Sequence, residues 1–195
     1  MSSRDSTNHP RDQRRKPGLP RTNRSRSMAP ATKVPFYEYD PESNAWETHR
    51  VARSQGDNAA PKLSLMTWNV WYEPVAEDFR FPAILRQIKM MSQEVDIIAL
   101  QEVTPRFLAV LRHDEFVRKD WLITDRWDEA HKAVLGDTGY GIMFLVNRAM
   151  KSQIESRVIK FPTSKQGRYA QLIELSDAGD STVISALLGS VNGRR

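Results

Sequence analysis

Two short motifs carry the residue types that could do chemistry. Leu65-Met66-Thr67-Trp68-Asn69 brings an apolar stretch to an end on a carboxamide, and Ile98-Ala99-Leu100-Gln101-Glu102-Val103 brings another to a carboxylate. A single carboxylate suits Mg²⁺, which keeps several waters and takes only one or two protein carboxylates beside substrate phosphate oxygens. A side-chain amide both donates and accepts, so Asn69 could hydrogen-bond a phosphate oxygen or position another ligand. By spacing alone a plainer reading stays open: Asn69 starts a turn and Glu102 precedes a helix cap at Thr104.

The elements between the motifs decide whether the two side chains can meet. A strand over 63–69 leads to a helix near 81–94, with Pro82 in its first turn and Ile84, Leu85, Ile88 and Met91 on one apolar face. A second strand over 95–101 is almost continuously apolar, the pattern of burial on both faces. Strand–helix–strand units of this kind are parallel with a right-handed crossover, so both C-terminal ends emerge on one side. In open α/β sheets that side is where ligands bind. Thr104-Pro105 then caps a second helix through Phe107, Leu108 and Leu111.

Beyond Trp121 the pattern changes to strands, expected at 121–124, 140–147, 154–161, 168–175 and 181–188. Most later connections are too short for helical crossovers and imply antiparallel neighbours. Asp177-Ala178-Gly179-Asp180 reads as a turn. The fold class is therefore mixed α/β: a strand-helix-strand-helix opening followed by an antiparallel meander.

The flanks are of a different character. Residues 1–33 hold nine Lys/Arg against two Asp/Glu, leaving 20 against 22 for the rest, so the net +5 belongs to this segment. With almost no large apolar side chain it reads as a disordered basic tail. Arg14-Arg15-Lys16 with Arg21, Arg24 and Arg26 forms either a nuclear-localisation or nucleic-acid-binding patch or simply a solvated flexible face. Pro17, Pro20 and Pro30 oppose the amphipathic helix of a mitochondrial presequence. Residues 34–62 read as an aromatic hairpin, built on Phe36-Tyr37-Glu38-Tyr39, a turn at Asp40–Asn44 and Trp46, followed by a polar linker. The third segment, 63–195, is the domain.

Composition removes several classes. There is no cysteine, which excludes disulfides and thiolate metal sites, and four histidines without ligand spacing make zinc a poor fit. No apolar run approaches a membrane span, and no secretory signal is present. An intracellular protein is expected, nuclear more than cytoplasmic, without a membrane partner.

Taken in order, "TWNV", "IIALQEV", "GYGIMFLVNR" and "GRYAQLIEL" resemble the opening landmarks of the endonuclease/exonuclease/phosphatase superfamily. The "TWNVW" and "LQEVTP" forms are most similar to its tyrosyl-DNA phosphodiesterase 2-like branch. The resemblance covers roughly 63–188. It implies the N-terminal half of a four-layered α/β sandwich and Mg²⁺- or Mn²⁺-dependent hydrolysis of a phosphodiester at DNA ends, such as a 5′-tyrosyl-DNA linkage, in DNA repair. Glu102 matches the family's metal-binding glutamate. Asn69 matches the asparagine that organises metal and phosphate. Arg168 sits near the phosphate path, or is a surface arginine entering a strand. Tyr140 could face the site, although a core or rim position is the plainer reading. Trp68 and Trp71 could stack on a base, although packing beneath the site is the commoner role. His49, His113 and His131 match no catalytic position.

The departures are as informative. Where the family has a serine-histidine-leucine-glutamate-like strand end, the ungapped counterpart is Ala186-Leu187-Leu188-Gly189. The glycine-aspartate-x-asparagine motif with the water-activating aspartate is absent, as is the final serine-aspartate-histidine motif. The expectation is an incomplete phosphodiesterase domain without turnover of its own, prone to associate through an exposed sheet. The alternatives are a branch acting on RNA, nucleotide or phospholipid phosphodiesters, or a non-catalytic interaction module on the same scaffold.

Overall fold

The structure is a computed structural model that describes residues 30–49, 63–125, 139–150, 153–161, 169–177 and 180–187. Its opening strands are β1 (Thr32–Val34), β2 (Tyr37–Asp40), β3 (Ala45–Thr48) and β4 (Leu65–Asn69). Helix α1 (Glu77–Met91) and a 3-10 turn lead to β5 (Ile97–Val103), then α2 (Pro105–His113), α3 (Glu115–Asp120) and β6 (Trp121–Ile123). The closing strands are β7 (Gly141–Asn147), β8 (Gln153–Lys160), β9 (Tyr169–Asp177) and β10 (Asp180–Leu187).

The strands form two sheets, one ordered β3-β2-β6-β7-β5-β4 and the other β1-β8-β9-β10. Only β4 and β5 run parallel; every other recorded pairing is antiparallel. Strand alternation explains the layering, because successive side chains point to opposite faces. Ile98, Leu100, Met143, Leu145, Trp121 and Ile123 pack with Phe81, Ile88, Phe107 and Leu111 of the helices. Their neighbours Ile97, Leu122, Phe144 and Val146 pack instead against Ile154, Ile173 and Leu175 of the second sheet. The central strands β5, β6 and β7 are thus buried on both faces, as the apolar runs in β5 and β7 require. Phe81 and Phe107 meet edge to face at 5.0 Å and tie α1 to α2.

Beyond the end of β6, the N–H groups of β7 on that side find side chains instead of a strand. Phe144 N–H donates to Thr124 Oγ1 at 2.9 Å, and Ile142 N–H donates to the buried Tyr169 hydroxyl at 3.0 Å. The second bond joins the two sheets.

Several boundaries differ from the sequence expectation. Helix α1 starts at Glu77, which places Pro82 inside it instead of in its first turn. The Ala76 carbonyl already accepts from Phe79 N–H and Arg80 N–H at 3.1 and 2.8 Å, so the helix is nucleated upstream of the proline. Helix α3 was not anticipated; Asp114 caps it, its carboxylate accepting from Phe116 N–H and Val117 N–H at 3.0 and 3.3 Å. The meander is divided between sheets, with β6 and β7 in one and β8 to β10 in the other. Strand β10 forms an outer edge of its sheet. Thr32–Val34, at the expected tail boundary, pairs with β8 as β1. Residues 1–29 of the basic segment lie outside the described residues.

The hairpin at Tyr37–Thr48 forms with Tyr39 opposite Trp46. Both oxygens of Asp40 hold its turn, accepting from Glu42 N–H at 3.0 Å and Ser43 N–H at 3.2 Å. Hydrogen bonding from Ser43 and Glu42 keeps that carboxyl below the usual carboxylate range. Its aromatic residues dock on the domain: Tyr37 and Trp46 are buried among the helices, and Trp46 Nε1 donates to the Arg112 carbonyl at 3.3 Å.

Candidate metal and phosphate site

Asn69 and Glu102 leave the sheet together. In the parallel β4–β5 ladder Asn69 lies opposite Gln101, one residue before Glu102, and Val70 N–H closes the ladder on the Gln101 carbonyl at 2.9 Å. The two side chains then seize consecutive amides of one loop. Asn69 Oδ1 accepts from Trp71 N–H at 2.8 Å, and Glu102 Oε2 accepts from Tyr72 N–H at 3.1 Å.

A β-bulge aims Glu102. Leu100 pairs with Met143 and Val103 with Gly141, so two residues of β5 stand against Ile142 alone. The extra residue reverses the strand's alternation: Val103 falls into the same helix-side core as Ile98 and Leu100. Glu102 itself takes a left-handed backbone with φ 56°. That region costs a non-glycine residue about 1 kcal/mol or more, and such strain gathers where a side chain must be re-aimed. Without the bulge, continued alternation would turn Glu102 toward the helix-side core, where an unpaired carboxylate is untenable.

The loop after Asn69 is held by one arginine. Arg80 Nη2 donates to the Trp71 and Glu73 carbonyls at 2.9 and 2.8 Å, and Nη1 donates to the Val75 carbonyl. Its guanidinium lies 4.8 Å from the centre of the Trp71 ring. Tyr72 stacks on Tyr140 with ring centres 4.5 Å apart and planes 18° apart. The Tyr72 phenol is held above its ordinary range by its hydrogen bond to Glu73 and that carboxylate's charge, with Tyr140 and Glu102 adding to the shift.

The structure brings Asn69, Glu102, Tyr72 and Tyr140 into one neighbourhood. Arg168 lies outside the described residues, as does His131. His49 pairs with Glu38 at 3.2 Å, and the exposed His113 has its Nδ1 2.7 Å from the Ala109 carbonyl; neither contacts this loop. Trp68 packs partly buried against the helix-side core, whereas Trp71 points outward. Arg80 and Tyr72 were not singled out from sequence, and a lone arginine early in a helix gives no signal that it latches the preceding loop.

Among the described residues no group of three or more His, Cys, Asp or Glu side chains converges as a metal cage.

The sequence profile of the Endonuclease/Exonuclease/phosphatase family matches residues 66–182, spanning both motif strands and most of the second sheet. The chain belongs to this family. Its fold is similar to that of D. rerio TDP2 complexed with single strand DNA product: TM-score 0.51 and 20% identity, over 67% of this chain and 48% of that one. TDP2 from Caenorhabditis elegans gives TM-score 0.51 and 23% identity over 67% of this chain and 36% of that one. A D. rerio TDP2 humanized by 14 mutations gives TM-score 0.50 and 19% identity over 63% of this chain and 45% of that one. The chain thus spans less than half the length of these structures, and the likeness is one of fold. No curated protein matches. No helix among the described residues is long and apolar enough to cross a membrane.

Proposed function

We propose that this chain forms the metal- and phosphate-binding half of a phosphodiesterase site that acts at DNA ends, for example on a 5′-tyrosyl linkage during DNA repair. The observation that carries the reading is Glu102: a strained, bulge-borne carboxylate at the C-terminal rim of the parallel strand pair, with Asn69 beside it. A left-handed backbone is costly for a non-glycine residue, and such strain clusters at ligand-binding sites.

The residues fit a hard divalent cation, Mg²⁺ or Mn²⁺. Glu102 Oε2 is engaged by Tyr72 N–H, and Oε1 carries no hydrogen bond among the described residues. Asn69 Oδ1 is occupied by Trp71 N–H, which fixes the amide so that Nδ2 is the group offered to a phosphate oxygen. A cation held on Glu102 would polarise a phosphate oxygen and stabilise the leaving oxygen. Asn69 orients the phosphate, and Arg80 keeps the loop that carries both contacts in one conformation.

Single-stranded DNA in the D. rerio TDP2 complex supports nucleic acid as the substrate class. The basic residues of 1–33 support it too, since phosphate contacts drive such binding, and they favour residence in the nucleus. Hydrolysis also needs a base for the attacking water and a donor to the phosphoryl oxygens. The chain spans less than half the length of the solved structures it resembles, and what is proposed for it is metal and phosphate binding.

Mn²⁺ titration followed by electron paramagnetic resonance, with a 5′-phosphotyrosyl oligonucleotide binding assay, tests both parts. Metal and oligonucleotide binding that Glu102→Gln weakens or abolishes is expected. Equal Mn²⁺ binding by Glu102→Gln would refute the site.

A further inference from the structure

Resting on that reading of the site, we infer that Trp71 is a stacking platform for the nucleobase adjoining the phosphate held at Asn69 and Glu102. Three observations converge. Trp71 is 47% exposed, whereas Trp46 and Trp121 are 5% and 1% exposed and Trp68 packs partly buried against the helix-side core. Its backbone is left-handed with φ 62°, a conformation a bulky residue avoids unless something imposes it. Both of its main-chain groups are gripped by side chains, the N–H by Asn69 Oδ1 and the carbonyl by Arg80 Nη2.

The result is an outward-facing ring whose root is fixed relative to the site. The residue before Trp71 is pinned to Gln101, and the residue after it to the Glu102 carboxylate. Arg80 lies against the indole at 4.8 Å, so cation–π attraction holds the ring in place while leaving much of its surface to solvent. A rigid aromatic surface beside a phosphate site, backed by a guanidinium, matches the way single-stranded nucleic acid is held, by base stacking together with positive charge near the backbone. Stacking of this kind tolerates any base, so the platform would give affinity for a nucleotide without sequence preference.

Fluorescence anisotropy of the full chain with Mg²⁺ and short 5′-phosphorylated single strands is the test. One strand carries an ordinary first nucleotide and the other an abasic one. Trp71→Ala is expected to weaken binding of the first about tenfold, within the range of base–aromatic stacking, and to leave the abasic strand unchanged. Trp71→Phe should retain most of the affinity. Equal weakening of both strands would mean that Trp71 only shapes the loop, and no effect on either would mean that it is idle; each overturns the proposal. An effect that appears only with an abasic strand bearing a 5′-phosphotyrosine would assign the ring to the leaving group, and overturns it as well. Glu102→Gln distinguishes the parent reading: unchanged binding in that variant refutes the phosphate site whatever Trp71 does, and no binding by the unaltered chain refutes both.

Discussion

Glu102 reaches across from β5 to hold the amide of Tyr72, with Oε2 and N 3.1 Å apart. The carboxylate proposed as a cation ligand thus also shapes the loop following Asn69. Ligand capacity and loop conformation are tied to one side chain, and substitutions can separate them.

Position 102 should be more stable with glycine than with alanine. Both remove the carboxylate, but only glycine relaxes φ 56°. A gap of about 1 kcal/mol in Gly's favour is expected from urea midpoints, with neither variant binding Mn²⁺. Alanine as stable as glycine would mean that the left-handed backbone carries no strain.

Asn69→Asp should keep the turn, because a carboxylate accepts from Trp71 N–H as the amide does. It replaces the Nδ2 donor with a negative charge, so oligonucleotide affinity should fall while the melting temperature stays near that of the parent. Asn69→Ala loses both functions and should cost about 0.5–1.5 kcal/mol of stability as well.

Tyr169→Phe should cost about 1–3 kcal/mol, because it strands the buried Ile142 N–H. The phenol also sets an alkaline limit. Burial holds it well above its ordinary value of 10.0, so the folded chain keeps a proton that the unfolded chain releases. Its contribution is complete below pH 10 and declines as pH rises beyond that toward the folded value. Stability curves for the phenylalanine variant should lack this slope.

Trp46→Ala should cost about 3–5 kcal/mol, the usual range for a fully packed large aromatic. Within the sheet β2 joins β6 through the single recorded Tyr37–Ile123 pairing, and the buried indole adds an anchor against the helix-side core. Hydrogen exchange should show residues 37–48 opening before the rest of the domain.

Much of the scaffold was legible because it rests on local rules. The apolar run at Ile97–Leu100 gave a strand buried on both faces, and Thr104 with Pro105 gave a helix start whose cap forms at 3.2 Å to Phe107 N–H. What escaped was set by tertiary partners. The division of the meander into two sheets depends on which strand covers which face, and periodicity does not record that. The bulge at Glu102 is a register shift against β7, invisible in β5 alone. For the candidate site, the sequence placed Asn69 and Glu102 at one rim, but not the strained backbone or the Arg80 latch. Nor did it separate Trp68 from Trp71, two indoles three positions apart, one half-buried under the helices and one turned to water.

Strand β4 is the outermost strand of its sheet, hydrogen-bonded only to β5 among the described residues. Asn69 therefore hangs from an outer strand of the sheet, where the local opening free energy lies below that of the whole fold. Anything that bridges Asn69 to Glu102 fastens this selvedge to its neighbour, so occupancy and retention of the strand rise and fall as one equilibrium.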